Sequence, residues 1–177
     1  MRAPIAATAI ILATPAVAQT DAHDRWNVTS ETTPLTGSRF MSAGIESSNR
    51  LLNMLGRPDR ASLSLRCSEG ALAVYVNWPQ VVSQDGQNMF GQPKTMAIWR
   101  IDDQKLKSNL WDIDTTGTAA GEFKSRSAQK LLASFTGARK LVVRLAGQQV
   151  QDAEFDLAGF DVVAPETAAT CGMKLQG

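Results

Sequence analysis

Between Ser62 and Pro79 the sequence alternates with a period of two, and this pattern constrains the fold more tightly than any other feature. In Ser62-Leu63-Ser64-Leu65-Arg66-Cys67-Ser68 every odd position is apolar and every even one polar. Successive side chains of a strand point to opposite faces, so this stretch reads as a half-buried strand with Cys67 turned inward. Glu69-Gly70 turns the chain, and Leu72, Val74, Val76 and Trp78 form the inward set of a second strand that Pro79 stops. A hairpin with one apolar face needs further strands to cover it. They are predicted at 25–29, 41–46, 95–101, 109–114, 141–145 and 153–157. Short strands at such spacing imply a mainly β domain, an antiparallel β-sandwich or barrel-like fold.

Two segments break the pattern. Ala128, Leu131, Leu132 and Phe135 fall at helical spacing, with Ser125 or Ser127 placed to cap the helix, whose apolar stripe would cover one end of the core. Residues 159–164 and then 165–170 read as a short helix restarted by Pro165 at a first-turn position. No internal repeats are evident. The long polar loop is 79–93, and its Gln80, Gln84, Asp85, Gln87, Asn88 and Gln92 make it the candidate binding loop.

Met1-Arg2, an apolar run over 5–17 and the small-residue site Ala16-Val17-Ala18 have the order of a secretory signal peptide. The reading is a cleaved segment at 1–18, a single β-rich domain at 19–177 and a periplasmic destination. A membrane span is disfavoured, because the apolar run falls short of about 20 residues and contains Pro15. In an oxidising compartment Cys67 and Cys171 most simply pair with each other, tying the end of the chain to the middle of the fold.

Charge and residue usage narrow the function. Lys plus Arg number 18 against 17 Asp plus Glu, a formal net charge of +1, so there is no basic excess suited to nucleic acid. The one histidine, His23, leaves no second imidazole for a zinc site and no base in the body of the domain for a Ser-His-Asp relay. No phosphate loop or nucleophile elbow occurs, and no metal or other cofactor is expected. Carboxylates do occur in pairs, as Asp112 with Asp114, Glu154 with Asp156, and Asp102 beside Asp103. Alternating acids on strands ordinarily belong to a solvated sheet face, so no catalytic residue is assigned. Trp26, Trp78, Trp99 and Trp111 fall on predicted strands, with Trp78 on the buried face.

The order of several short motifs carries a family resemblance. Trp26-Asn27-Val28, Leu63-Ser64-Leu65-Arg66-Cys67 and Val74-Tyr75-Val76-Asn77-Trp78 make up the first half. Trp99-Arg100-Ile101-Asp102, Trp111, Leu131-Leu132, Leu141-Val142-Val143-Arg144, Phe155-Asp156-Leu157-Ala158-Gly159-Phe160 and Cys171 make up the second. Together they resemble the small exported proteins of the VasI or TagO type associated with bacterial type VI secretion loci, over nearly the whole chain after the leader. The resemblance departs at residues 79–93, which are longer here, and at Pro165. It implies an accessory or assembly role at the cell envelope and no established active site. The motif residues also have structural explanations: Arg66 and Arg144 can pair across strands with acids, Asp102 can cap a turn, and Gly159 can supply a tight bend.

The expected function is therefore a non-enzymatic periplasmic accessory factor whose partner is an envelope or secretion-machine protein, with peptidoglycan a further candidate. An inhibitor of an envelope lysozyme or protease, acting through the long loop, is the alternative. A glycan hydrolase using Asp112 or Asp114 is the third reading.

Overall fold

A computed structural model describes residues 25–145 and 151–175; the expected signal peptide and His23 lie outside them. Twelve strands and two helices follow in the order β1 (Asn27–Thr32), β2 (Arg39–Glu46), β3 (Leu51–Leu52), β4 (Pro58–Asp59), β5 (Ser62–Ser68), β6 (Ala71–Asn77), β7 (Gly86–Gln87), β8 (Pro93–Ile101), β9 (Lys107–Ile113), β10 (Ala119–Glu122), α1 (Ser125–Ala133), β11 (Lys140–Leu145), β12 (Asp152–Asp156) and α2 (Phe160–Thr170). All pairings are antiparallel. The main sheet runs β1-β2-β5-β6-β10-β9-β8-β11-β12, with β7 added beside the start of β8 and β3-β4 forming a separate small hairpin. The domain is thus mainly antiparallel β with two short helices and one disulfide, as expected. The sheet is not closed into a barrel.

The alternation that defines the central hairpin holds in three dimensions. Leu63, Leu65, Cys67, Leu72, Val74 and Val76 are all buried, in register with Leu63 opposite Val76 and Cys67 opposite Leu72. Trp26 and Trp78 lie just outside β1 and β6 rather than within them, yet both are buried, as are Trp99 and Trp111. The last two pack ring against ring at 5.4 Å. Large aromatic surfaces near strand ends go into the core whether or not the backbone is paired there.

The two ends of the sheet path face each other across short bridges. Ser48, just past β2, donates its backbone N–H to the Glu154 carbonyl at 2.7 Å. Asn49 Nδ2 donates to the Asp152 carbonyl at 2.7 Å, and Asn49 Oδ1 accepts the Glu154 N–H at 2.9 Å. These bonds cover the free edge of β12, where unpaired backbone groups would otherwise invite another chain. Trp26 Nε1 donates to the Ala158 carbonyl, and Arg25 pairs with Asp156, closing the same seam lower down. Asn49→Ala removes two bonds to one strand edge. It should cost about 2 kcal/mol, read as a lower midpoint in urea unfolding with unchanged slope.

Helix details differ from expectation. Ser125 and Ser127 do not cap α1: the N-cap is Lys124, Ser125 Oγ instead accepts the Leu72 N–H at 3.0 Å, and Ser127 Oγ donates to the Lys124 carbonyl. Docking the helix onto β6 has taken priority over capping it. Residues 160–170 form one helix with Pro165 inside it, not two pieces. Pro165, the sixth of its eleven residues, removes one N–H donor from the ladder, yet the helix continues past it to Thr170. Gly159 enters this helix at φ +87°, the left-handed bend expected of it. α2 carries Cys171 to Cys67, with an S–S distance of 2.06 Å.

The register sorts connections to two rims. Glu46, Ser62, Asn77 and Ala119 are successive partners at one rim, and Lys94 opposite Asp112 continues it. The β3-β4 and β7-β8 hairpins leave from this rim. The opposite rim carries the β5-β6 turn, the disulfide and the docking of α1 on β6.

Candidate functional site

The long loop is more structured than its composition suggests. Gln80 and Val82 are buried, and the Val82 N–H donates to the Gly117 carbonyl. Asp85 continues the β7-β8 pairing: its carboxylate accepts the Met96 N–H at 2.7 Å and the Thr95 hydroxyl at 3.3 Å. Asn88 and Gln92 bond each other through backbone and side chains and fix the turn between β7 and β8. Of the candidate binding residues, Gln84 and Gln87 face solvent without such a duty, whereas Gln80 is buried. A polar composition marked this segment as a loop; much of its polarity serves its own hydrogen bonding.

Beside this loop, the outward face of the sheet carries a groove of about 690 Å³. Its floor follows from register. The outward cross-strand row runs Ser64, Tyr75, Gly121, Asp112 and Lys94. Gly121 is buried between Tyr75 and Asp112, where β6 approaches too closely to leave space for a side chain. Tyr75 stacks on Phe123 at 5.4 Å with 25° between the rings, and the Arg66 guanidinium lies 5.6 Å from the Tyr75 centroid, within cation–π range. Gln92 and Pro93 form the wall toward the loop, and Lys124 stands exposed at the start of α1. Asn77 Nδ2 is held by the Ser62 and Ser64 hydroxyls at 2.9 and 3.1 Å.

Arg66, expected to pair with an acid across strands, leans on Tyr75 instead, because its direct neighbour on β6 is Ala73 and Tyr75 sits on the diagonal. Neither Arg66 nor Lys124 has a salt bridge among the described residues. Sequence reasoning followed the inward face of the hairpin and passed over this set. Its signal was the outward register of Arg66, Tyr75 and Asn77, which places a cation, a ring and an amide together.

The acids of the groove are already engaged. Lys94 Nζ lies 2.6 Å from Asp112 Oδ1, both side chains being largely shielded. Asp114 lies past the end of β9. Partial burial would raise its pKa, but bonds from the Thr116 hydroxyl and from the backbone of Ala119, Thr116 and Thr118 outweigh that and hold it below the usual carboxylate value. A carboxylate kept ionised in this way is a poor proton donor near neutrality. Elsewhere Glu154 pairs with Lys140, and Asp156 with Arg25. Asp102 adopts φ +44° and accepts the Arg139 and Lys140 N–H groups, so it braces the start of β11 as well as its own turn. Arg144 and Asp152 form the expected cross-strand pair, whose hydrogen bonding lowers the Asp152 pKa and raises that of Arg144. No group of three or more His, Cys, Asp or Glu residues suited to a metal ion occurs among the described residues. The groove can therefore hold a ligand through an aromatic pair, two cations and amides.

No protein-family model matches the chain. No curated protein matches it either. Among solved structures it is similar to invasion associated protein B from Bartonella henselae, at 14% identity over 81% of this chain and 92% of that one, with a TM-score of 0.38. A superposition that loose carries no argument about fold or function.

Proposed function

We propose that this chain is an exported, non-enzymatic accessory or assembly factor of the bacterial envelope that holds a segment of a partner protein in the outward groove. The observation that carries the reading is the groove itself. It presents the Tyr75-Phe123 stack with the Arg66 and Lys124 cations, while its acids are engaged by Lys94 or by hydroxyl and backbone donors. Aromatic rings and arginine are the side chains that most often dominate the energetics of protein recognition. A segment carrying acidic and apolar side chains complements them. The leader sequence and a disulfide that needs an oxidising compartment support export. The resemblance to VasI- and TagO-type proteins supports a task beside a secretion machine.

The test is affinity capture from a bacterial envelope extract with the oxidised chain as bait. A Tyr75→Ala/Lys124→Glu variant is the control. The wild type should retain a small set of envelope or secretion-machine proteins, and the variant should lose at least tenfold of the retained amount with its melting temperature nearly unchanged. Equal retention by both forms would remove the groove from the account. Retention of a single wall hydrolase whose turnover falls on binding would move the reading to an inhibitor.

A further inference from the structure

The chain contains a hexapeptide twice. Asn53-Met54-Leu55-Gly56-Arg57-Pro58 and Asn88-Met89-Phe90-Gly91-Gln92-Pro93 share the pattern Asn-Met-apolar-Gly-polar-Pro, which corrects the reading of the sequence as free of internal repeats. The two copies fold alike. In each, the Asn N–H donates to the carbonyl of the fifth residue, and the Gly N–H donates to the Asn carbonyl, all at 2.9–3.0 Å. In each, the Asn side-chain oxygen accepts two further backbone N–H groups, from Leu55 and Arg57 in one copy and from Phe90 and Gln92 in the other. Gly56 and Gly91 take φ of +69° and +76°, where a side chain would be strained.

The product is a rigid turn that aims two large apolar side chains at solvent. Met54 and Leu55 are 67% and 76% exposed; Met89 and Phe90 are 89% and 79% exposed. Isolated exposed apolar residues are ordinary, but the same device built twice, each time with four of its five backbone N–H groups bonded within the turn, is not explained by chance exposure. Both turns leave the same rim of the sheet, roughly 15–25 Å apart by strand spacing. Around the first tip Arg50, Arg57 and Arg60 are exposed, with two acids nearby, Asp59 and the Glu46 that pairs with Arg60.

We infer that the two tips are anchors that dip together into the interface of an anionic phospholipid bilayer. Three observations favour a lipid surface over a protein pocket. The tips are convex and separated, so a flat medium can receive both at once without a shaped partner. Four of the five N–H groups in each turn, all but that of the methionine, are already bonded, which lowers the cost of entering an apolar layer. Exposed Arg50 and Arg57 flank the first tip and supply charge suited to phosphate head groups. One such tip binds weakly, but two on one rigid body reinforce each other, as two weak lipid anchors do. Among the described residues no helix is long and apolar enough to cross a membrane, and peripheral contact of this kind needs none.

The experiment is cosedimentation of the oxidised chain with vesicles of phosphatidylglycerol and phosphatidylethanolamine, and with vesicles of phosphatidylcholine alone. Leu55→Ser, Phe90→Ser and the combined variant are compared with the wild type. The wild type should sediment with the anionic vesicles, each single variant should partition at least threefold less, and the combined variant should stay in the supernatant with an unchanged melting curve. Three results would overturn the inference: a wild type that ignores anionic vesicles, tip variants that bind as well as the wild type, or tip variants that lose only a captured protein. The groove residues are untouched in these variants, so failure here is separable from failure of the proposed partner binding.

Discussion

Replacing both members of the disulfide, as Cys67→Ala with Cys171→Ala, should destabilise the domain by about 4–5 kcal/mol, the largest effect expected of any change considered. The bond spans 104 residues, so it restrains a large part of the chain in the unfolded state. Cys67 is fully buried on β5, and Cys171 is the C-cap of α2, a helix that packs on β2 and β5. Loss of the bond therefore also loosens the docking of α2, whose Phe160, Val163, Ala164 and Ala168 belong to the core. A domain of this size has about 5–15 kcal/mol of stability in all, so the bond accounts for a large share. Urea unfolding of the oxidised protein and the double variant measures the difference. A change below about 1 kcal/mol would mean that α2 and the core hold the chain end without help.

Gly121→Ala should cost about 3 kcal/mol or more, whereas Gly44→Ala, also on a strand, should stay within about 1 kcal/mol. The contrast comes from the space around each. A Cβ at 121 would clash with the Val74 carbonyl oxygen and Tyr75 Cα and stand 2.6 Å from Tyr75 Cβ. Those are mostly backbone atoms of the neighbouring strand, so relief requires β6 and β10 to separate and their ladder to weaken. At Gly44 the nearest atom is the Leu63 carbonyl oxygen at 3.8 Å, an ordinary contact. Parallel unfolding curves of the two variants decide the matter. Equally small losses would show that β6 and β10 yield easily, and that close approach does not require glycine at 121.

What the sequence disclosed follows the strength of local signals. The β5-β6 hairpin was legible because alternation, a Glu-Gly turn and a terminating Pro all agree. The disulfide was legible because the sequence holds two cysteines with none left over to pair elsewhere. The binding loop was read from its amides, but an amide in a turn bonds its own backbone first, and Asn88 and Gln92 do so. The Ser cap of α1 failed for a related reason: Ser125 found a tertiary partner in Leu72 N–H. The groove depends on register between strands far apart in sequence, with Tyr75 opposite Gly121 and Gly121 opposite Asp112, which no single segment encodes. The twin turns were in plain view as two six-residue matches. They were missed because repeats are sought at the length of whole structural units.

The most direct measurement of the central claim places a photoreactive amino acid at single positions in living cells of the source organism. Asn77 and Lys124 sample the groove, and Val162 on the exposed face of α2 serves as a reference. The account predicts crosslinks to one or a few defined envelope proteins from positions 77 and 124, and none of these from 162. Groove positions that give no crosslink, or the same diffuse products as position 162, would contradict a partner held on this face.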